Sequence, residues 1–232
     1  MELYEPEHIV AVLATGGLAA LAVHAGRTLS PPQVVWICRA LALLIALAYA
    51  ADHAFAVARD DWSTQRYLPF HLTDAVTILA VIALWLPRAL PVELVYFWAL
   101  TASLQAVLTP DLGEGFPDLY FWTYFVTHSG AVVAACLLVF GRRLRPRAGA
   151  VRRAVLATLA VAAIAAVANL ATGGNYMFLR EKPGSGSLLD LLGPWPVYIL
   201  VAGGVAVALF AALAAPFRGA SRRAGEPGKE SN

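Results

Sequence analysis

The side chains able to do chemistry in this 232-residue chain sit inside long apolar runs. His71, Thr73, Asp74 and Thr77 share one run, Asp52 and His53 are adjacent in the run before it, and Thr127, His128 and Ser129 are consecutive in a third. At about 100° per helical residue, Thr73, Thr77, Asp74 and His71 fall in order around an arc of roughly 160°, so all four can line one cavity. The i,i+3 spacing of His71 and Asp74 also allows an imidazole–carboxylate contact on one helix face. The chemistry this permits is acyl transfer. A threonine hydroxyl is a poor nucleophile until a base takes its proton, and the base needs a group that orients it. Thr73 supplies the nucleophile, His128 or His71 the base, and Asp74 or Asp52 the orienting carboxylate. Gln105, Asn169 or Asn175 can stabilise an oxyanion. Each residue also has a structural alternative: a membrane-helix threonine usually bonds back to the carbonyl four residues earlier, and His53 suits an interface. No H-E-x-x-H pattern or close Cys/His spacing is present, so neither a metal nor a cofactor is expected.

The elements that must position these groups are membrane helices. The chain is 59% hydrophobic and 14% charged, with a net charge of +2 and a mean hydropathy of +0.67; an average soluble domain is roughly 25% charged. Seven apolar runs, 7–26, 33–57, 67–87, 90–109, 119–140, 152–172 and 194–216, each approach the roughly 20 residues that cross a bilayer. They predict an all-α polytopic protein with seven transmembrane helices in one bundle, a single domain over 1–217, and a disordered tail over 218–232. The runs are about twice the length of a barrel strand and do not alternate, which excludes an outer-membrane barrel. The small net charge argues against nucleic acid as a partner. Cys38 and Cys136 lie inside apolar runs, which excludes a disulfide scaffold.

Basic residues near span ends are held on the cytoplasmic side. With the N-terminus outside and the C-terminus cytoplasmic, the inside segments hold Arg27, Arg88, Arg142, Arg143, Arg145, Arg147, Arg152, Arg153, Arg218, Arg222, Arg223 and Lys229. The outside segments hold only Arg59, Arg66, Arg180 and Lys182. That orientation places Asp52, His53, His71, Thr73, Asp74, Gln105, His128 and Asn169 at similar depth on the outer-leaflet side. The inner half offers Arg39 and Glu93, which can pair with each other or reach the surface.

The last outer loop reads Gly173-Gly174-Asn175-Tyr176-Met177-Phe178-Leu179-Arg180-Glu181-Lys182-Pro183, followed by Gly193-Pro194-Trp195-Pro196-Val197-Tyr198. Asn175, Tyr176, Arg180 and Lys182 are candidate substrate contacts, the two basic residues as a phosphate clamp. Together with Leu68-Pro69-Phe70-His71-Leu72-Thr73-Asp74, this loop resembles the YwaF-like bacterial integral membrane proteins and the transmembrane protein 164 family over roughly residues 35–215. The resemblance implies a multi-spanning, acyltransferase-like protein acting on phospholipid acyl chains, with a cysteine nucleophile at the position that is Thr73 here. The family is also distantly similar to the androgen-induced and androgen-dependent intramembrane lipid hydrolases, a comparison that implies Thr73 as nucleophile and His128 as base.

The combined expectation is a multi-pass cell-membrane protein that works on outer-leaflet phospholipid acyl chains as an acyltransferase or acyl-ester hydrolase. Its catalytic residues are Thr73, His128 and Asp74, and substrate contacts come from His71, Asp52, His53, Gln105, Asn169, Asn175, Tyr176, Arg180 and Lys182. The alternative is a non-enzymatic transporter or lipid-binding protein using the same polar cavity.

Overall fold

The computed structural model describes residues 5–184 and 187–217, so the expected tail over 218–232 lies outside the described residues. Within them there are seven helices and no strand: α1 Pro6–Thr28, α2 Pro31–Ala58, α3 Leu72–Trp85, α4 Ala89–Leu108, α5 Leu119–Gly141, α6 Ala150–Thr172 and α7 Val197–Phe217. Two short 3₁₀ turns, Tyr176–Phe178 and Leu188–Leu192, lie in the α6–α7 connection. Local chemistry sets the ends. Pro6 opens α1 and Pro31 opens α2, where a missing N–H costs no intrahelical bond. Asp118 caps α5 by accepting from the Tyr120 N–H at 2.9 Å. Gly149 and Gly173 flank α6 at φ +75° and +76°, backbone angles that a side chain disfavours.

Six of the helices are long and apolar enough to cross a membrane, whereas α3 has 14 residues. At about 1.5 Å per residue α3 reaches roughly 21 Å, short of a hydrocarbon core of about 30 Å. The apolar run over 67–87 therefore overstates this element. Pro69 and Pro87 disfavour helical backbone at Leu68 and Leu86 and clip the helix at both ends.

The core is built around α5, which packs against α1, α2, α3 and α4. Its buried Gly130, Ala131, Ala134 and Ala135 meet buried Ala42, Ile45, Val76, Ala80 and Ala83 on α2 and α3, because small residues let membrane helices approach closely. Helices α6 and α7 lie at the periphery and leave most of their apolar surface uncovered. So does α1, which is tied to the core at three places. The Thr15 and Ser129 hydroxyls are 2.7 Å apart, His8 Nε2 lies 3.0 Å from the Val107 carbonyl oxygen, and Gly26 crosses Gly141. A Cβ on Gly26 would come within 2.8 Å of Gly141 Cα. Gly26→Ala is therefore expected to destabilise the protein by about 1–3 kcal/mol, read as thermal unfolding in detergent. Gly17→Ala, where a Cβ meets nothing within 4 Å, should leave unfolding unchanged.

At the end of the bundle that carries the α5–α6 loop, Glu93 is 1% exposed. It does not pair with Arg39. Its carboxylate accepts from Arg147 N–H at 3.0 Å, Arg147 Nε at 2.8 Å, Arg153 Nε at 2.8 Å and Arg153 Nη2 at 3.0 Å. Arg39 instead lies over the Trp36 and Trp85 rings, 5.7 and 5.4 Å from their centroids.

Candidate functional site

At the opposite end, α3, α4, α5 and the α6–α7 connection enclose a cavity of about 460 Å³, a size typical of small-molecule sites. Each element has a reason to point there. His71 and Thr73 stand at the start of α3, where Asp74 at the third helical position accepts the His71 backbone N–H at 2.9 Å and closes the first turn. In α4 a π-helical turn, Ala99–Ser103, carries the first cavity-lining residue, Ala102; Ala102, Gln105, Ala106 and Thr109, spaced i, i+3, i+4 and i+7, all line the cavity. Tyr124 and His128, one turn apart on α5, form the facing wall.

The hydroxyl of Thr73 stands out from its peers. Among the described residues, every other helical threonine donates to a carbonyl three or four positions back: Thr15, Thr28, Thr77, Thr101, Thr123, Thr127, Thr158 and Thr172. Thr73 Oγ1 makes no such bond, and the residue lines the cavity. Its position explains this: the residue four back is Pro69, which precedes the helix, so no helical carbonyl is in place to receive the proton.

His128 is similarly uncommitted. Its Nδ1 is buried without a hydrogen-bond partner, a costly state that is uncommon without a functional or solvent explanation. The ring packs against Tyr124, with centroids 4.3 Å apart. No carboxylate orients it. Asp52 accepts from the Thr123 hydroxyl at 2.8 Å. Asp74 is engaged by the His71 backbone, with the Tyr49 hydroxyl 3.5 Å away. The expected contact between the His71 imidazole and Asp74 does not form, because a carboxylate at that helical position reaches back to the exposed N–H of the cap. The His71 ring turns instead toward the α6–α7 connection, where Nδ1 accepts from the Met177 N–H at 3.2 Å. No hydrogen bond joins Thr73 to either imidazole, as is common for catalytic groups before a substrate complex forms.

The structure thus brings Thr73, His71, Gln105 and His128 to one cavity. The remaining expected residues stand around it. His53 is strapped between the Tyr49 and Tyr67 carbonyl oxygens, 3.1 Å from Nδ1 and 3.0 Å from Nε2. Asn169, 2% exposed, forms a reciprocal pair with the Tyr176 backbone, donating at 3.0 Å and accepting at 2.6 Å. Asn175 accepts from the Arg180 N–H at 3.0 Å and donates to the Glu181 carbonyl at 2.9 Å, folding its own loop. Arg180 Nη1 reaches the Gly174 carbonyl at 3.4 Å, and Lys182 pairs with Asp190 at 3.6 Å. Asp111, Tyr124, Met177 and Phe178 line the cavity without having been expected there. The i,i+4 spacing of Tyr124 and His128 was a usable signal for Tyr124; nothing local marks the others.

Tyr176 holds the lid. Its hydroxyl donates to the Thr64 carbonyl at 2.6 Å and accepts from the Leu68 N–H at 3.1 Å, joining the α6–α7 connection to the α2–α3 loop. Burial raises this phenol above its ordinary range and keeps it a donor. The next residues, Met177 and Phe178, adopt φ of +56° and +53°, a conformation that costs roughly 1–2 kcal/mol per non-glycine residue and survives where its surroundings enforce it. Tyr176→Phe removes both bonds, at about 1 kcal/mol each. Limited proteolysis should then cut the connection between α6 and α7 several-fold faster than in the wild type.

A family model described as the TMEM164 family matches residues 3–214. The chain belongs to the TMEM164 family. A protein of Treponema pallidum (strain Nichols), itself described as uncharacterized, is 34% identical over 161 residues. The match covers 68% of this chain and 66% of that protein, so the chain spans about two thirds of its relative's length. No solved structure matches. Family membership and the apolar helices together make this TMEM164 family member a multi-pass membrane protein.

Proposed function

We propose that the protein is a lipid-directed acyl-ester hydrolase or acyltransferase, with Thr73 as nucleophile and His128 as base. The observation that carries this reading is the uncommitted Thr73 hydroxyl on a cavity wall shared with two imidazoles. As Thr73 Oγ1 bonds to the ester carbonyl carbon, the π pair moves onto the carbonyl oxygen and the hydroxyl proton passes to His128. Collapse restores the carbonyl and breaks the bond to the departing alcohol, which takes the proton from His128. The same steps in reverse deliver the acyl group to water or to a second alcohol. Asp74 supports the site by capping the turn that carries Thr73. The Lys and Arg distribution supports an N-terminus outside and a C-terminus in the cytoplasm, which turns the cavity toward the outer leaflet and its phospholipids.

The test is covalent trapping. Purified protein in lipid is treated with a long-chain fluorophosphonate and the adduct is mapped by peptide mass spectrometry. The reading expects the adduct on Thr73; an adduct elsewhere, or undiminished labelling of Thr73→Ala, removes Thr73 from the mechanism. A second reading, lipid binding without chemistry, draws on an apolar groove of about 730 Å³ lined in part by Leu18, Leu21, Ile37, Leu41, Phe125 and Val133. That reading expects lipid to co-purify and no adduct to form. A transport path gains no support from the packed core between the cavity and Glu93, where Val95, Phe97, Trp98 and Ala134 are each 2% exposed or less.

A further inference from the structure

We infer that His71 serves this site as a hydrogen-bond donor, its Nε2–H reaching the carbonyl oxygen of the bound acyl group. The inference rests on the acyl-transfer reading and gives the second imidazole a role distinct from that of the base. A neutral imidazole carries one ring proton, and the hydrogen bond made at one nitrogen decides where it sits. Here Nδ1 accepts the Met177 backbone N–H at 3.2 Å. An accepting nitrogen holds no proton, so the proton is on Nε2. The ring is also held in place, edge-on to Tyr176 at 5.2 Å and tilted against Phe178 at 5.6 Å between centroids.

Nε2 has no hydrogen-bond partner among the described residues, and His71 lines the cavity two residues from Thr73. A fixed N–H beside the nucleophile is what a developing oxyanion requires, because a donor already in place needs no reorganisation during the reaction. When Thr73 Oγ1 bonds to the carbonyl carbon and the π pair moves to oxygen, the His71 proton stabilises that charge without being transferred. The Thr73 proton goes to His128, whose Nδ1 has no hydrogen-bond partner. The Met177 N–H is available because Met177 and Phe178 adopt positive φ, so the lid that covers the cavity also sets the tautomer.

Two measurements on the full chain in detergent micelles test this. The first is nitrogen NMR of the ¹⁵N-histidine-labelled protein at neutral pH, with His71→Gln giving the assignment. The inference expects His71 protonated at Nε2 alone, and expects that signal to shift in Thr73→Ala protein when a long-chain N-acyl amide is added as an uncleaved carbonyl probe. A proton on Nδ1, or a signal indifferent to the amide, overturns it. The second is hydrolysis of p-nitrophenyl palmitate. His71→Ala should lower kcat about 100-fold with little change in KM, as loss of one oxyanion donor does. His71→Gln, which keeps an N–H near the Nε2 position, should recover at least a tenth of wild-type kcat; a glutamine variant as impaired as the alanine variant assigns His71 to proton transfer and overturns the donor role. Failure of the broader reading looks different: Thr73→Ala would then hydrolyse the ester normally while the His71 tautomer and its response to the amide persist.

Discussion

Thr73→Ala is expected to reduce ester hydrolysis to background, and His128→Ala to lower it by about 10²–10⁴-fold, the usual contribution of a positioned general base. The two effects should not multiply in the double variant, because nucleophile and base act as one unit. Controls separate chemistry from folding. Thr28→Ala removes an exposed hydroxyl bonded only to the His24 carbonyl, and His24→Ala removes an imidazole remote from the cavity; both should retain wild-type rates. Thr73→Cys tests the same position from the other side, since a thiol is the better nucleophile and the resulting thioester the better acyl donor. It should shift partition of the acyl group toward added alcohol over water. If Thr73→Ala retains more than a tenth of wild-type hydrolysis, threonine is not the nucleophile.

The second large effect is on stability, at the other end of the bundle. Arg153→Leu is expected to destabilise the fold by about 3 kcal/mol, because it leaves the buried Glu93 carboxylate without its better-covered partner. Arg147 has a side chain that is 54% exposed against 29% for Arg153, so Arg147→Leu should cost much less, in line with the small worth of solvated ion pairs. The double variant Glu93→Leu/Arg153→Leu should regain part of the loss, since the penalty comes from an uncompensated charge and not from missing attraction. Thermal unfolding in detergent gives all three values. Equal losses for Arg147→Leu and Arg153→Leu, or no recovery in the double variant, would contradict this account. Hydrolysis by the folded fraction should stay at wild type, since the cluster lies away from the cavity.

Much of the architecture was legible in the sequence because the bilayer imposes a simple rule: backbone polar groups must be satisfied within each apolar segment, so run length translates into helices. Six of the runs became helices long and apolar enough to cross a bilayer. The third became a shorter apolar helix of 14 residues, flanked by the prolines at 69 and 87. The gathering of Thr73, His71, Gln105 and His128 around one cavity followed from residue type and depth alone. Glu93 and Arg39 lie at similar depth, where they could pair with each other or reach the surface; the folded chain instead curls the α5–α6 loop back over the carboxylate.

Other features depended on contacts between distant segments. Asp52 and Asp74 looked like partners for an imidazole, yet other bonds claim both: a threonine hydroxyl from the distant α5 for one and a helix-capping N–H for the other. Asn169, Asn175 and Tyr176 had the residue types of a binding site, but the two asparagines satisfy backbone groups of the connection between α6 and α7, and the Tyr176 hydroxyl satisfies those of the α2–α3 loop. By itself, the sequence determined that the chain is a helical membrane protein whose scarce polar groups gather near one end. Which of those polar groups remain free for chemistry was decided only by tertiary structure. Hydrogen-bond capacity is finite, and whether a hydroxyl or ring nitrogen is spent on the fold depends on neighbours up to about a hundred residues away, as in the bond between His71 and Met177.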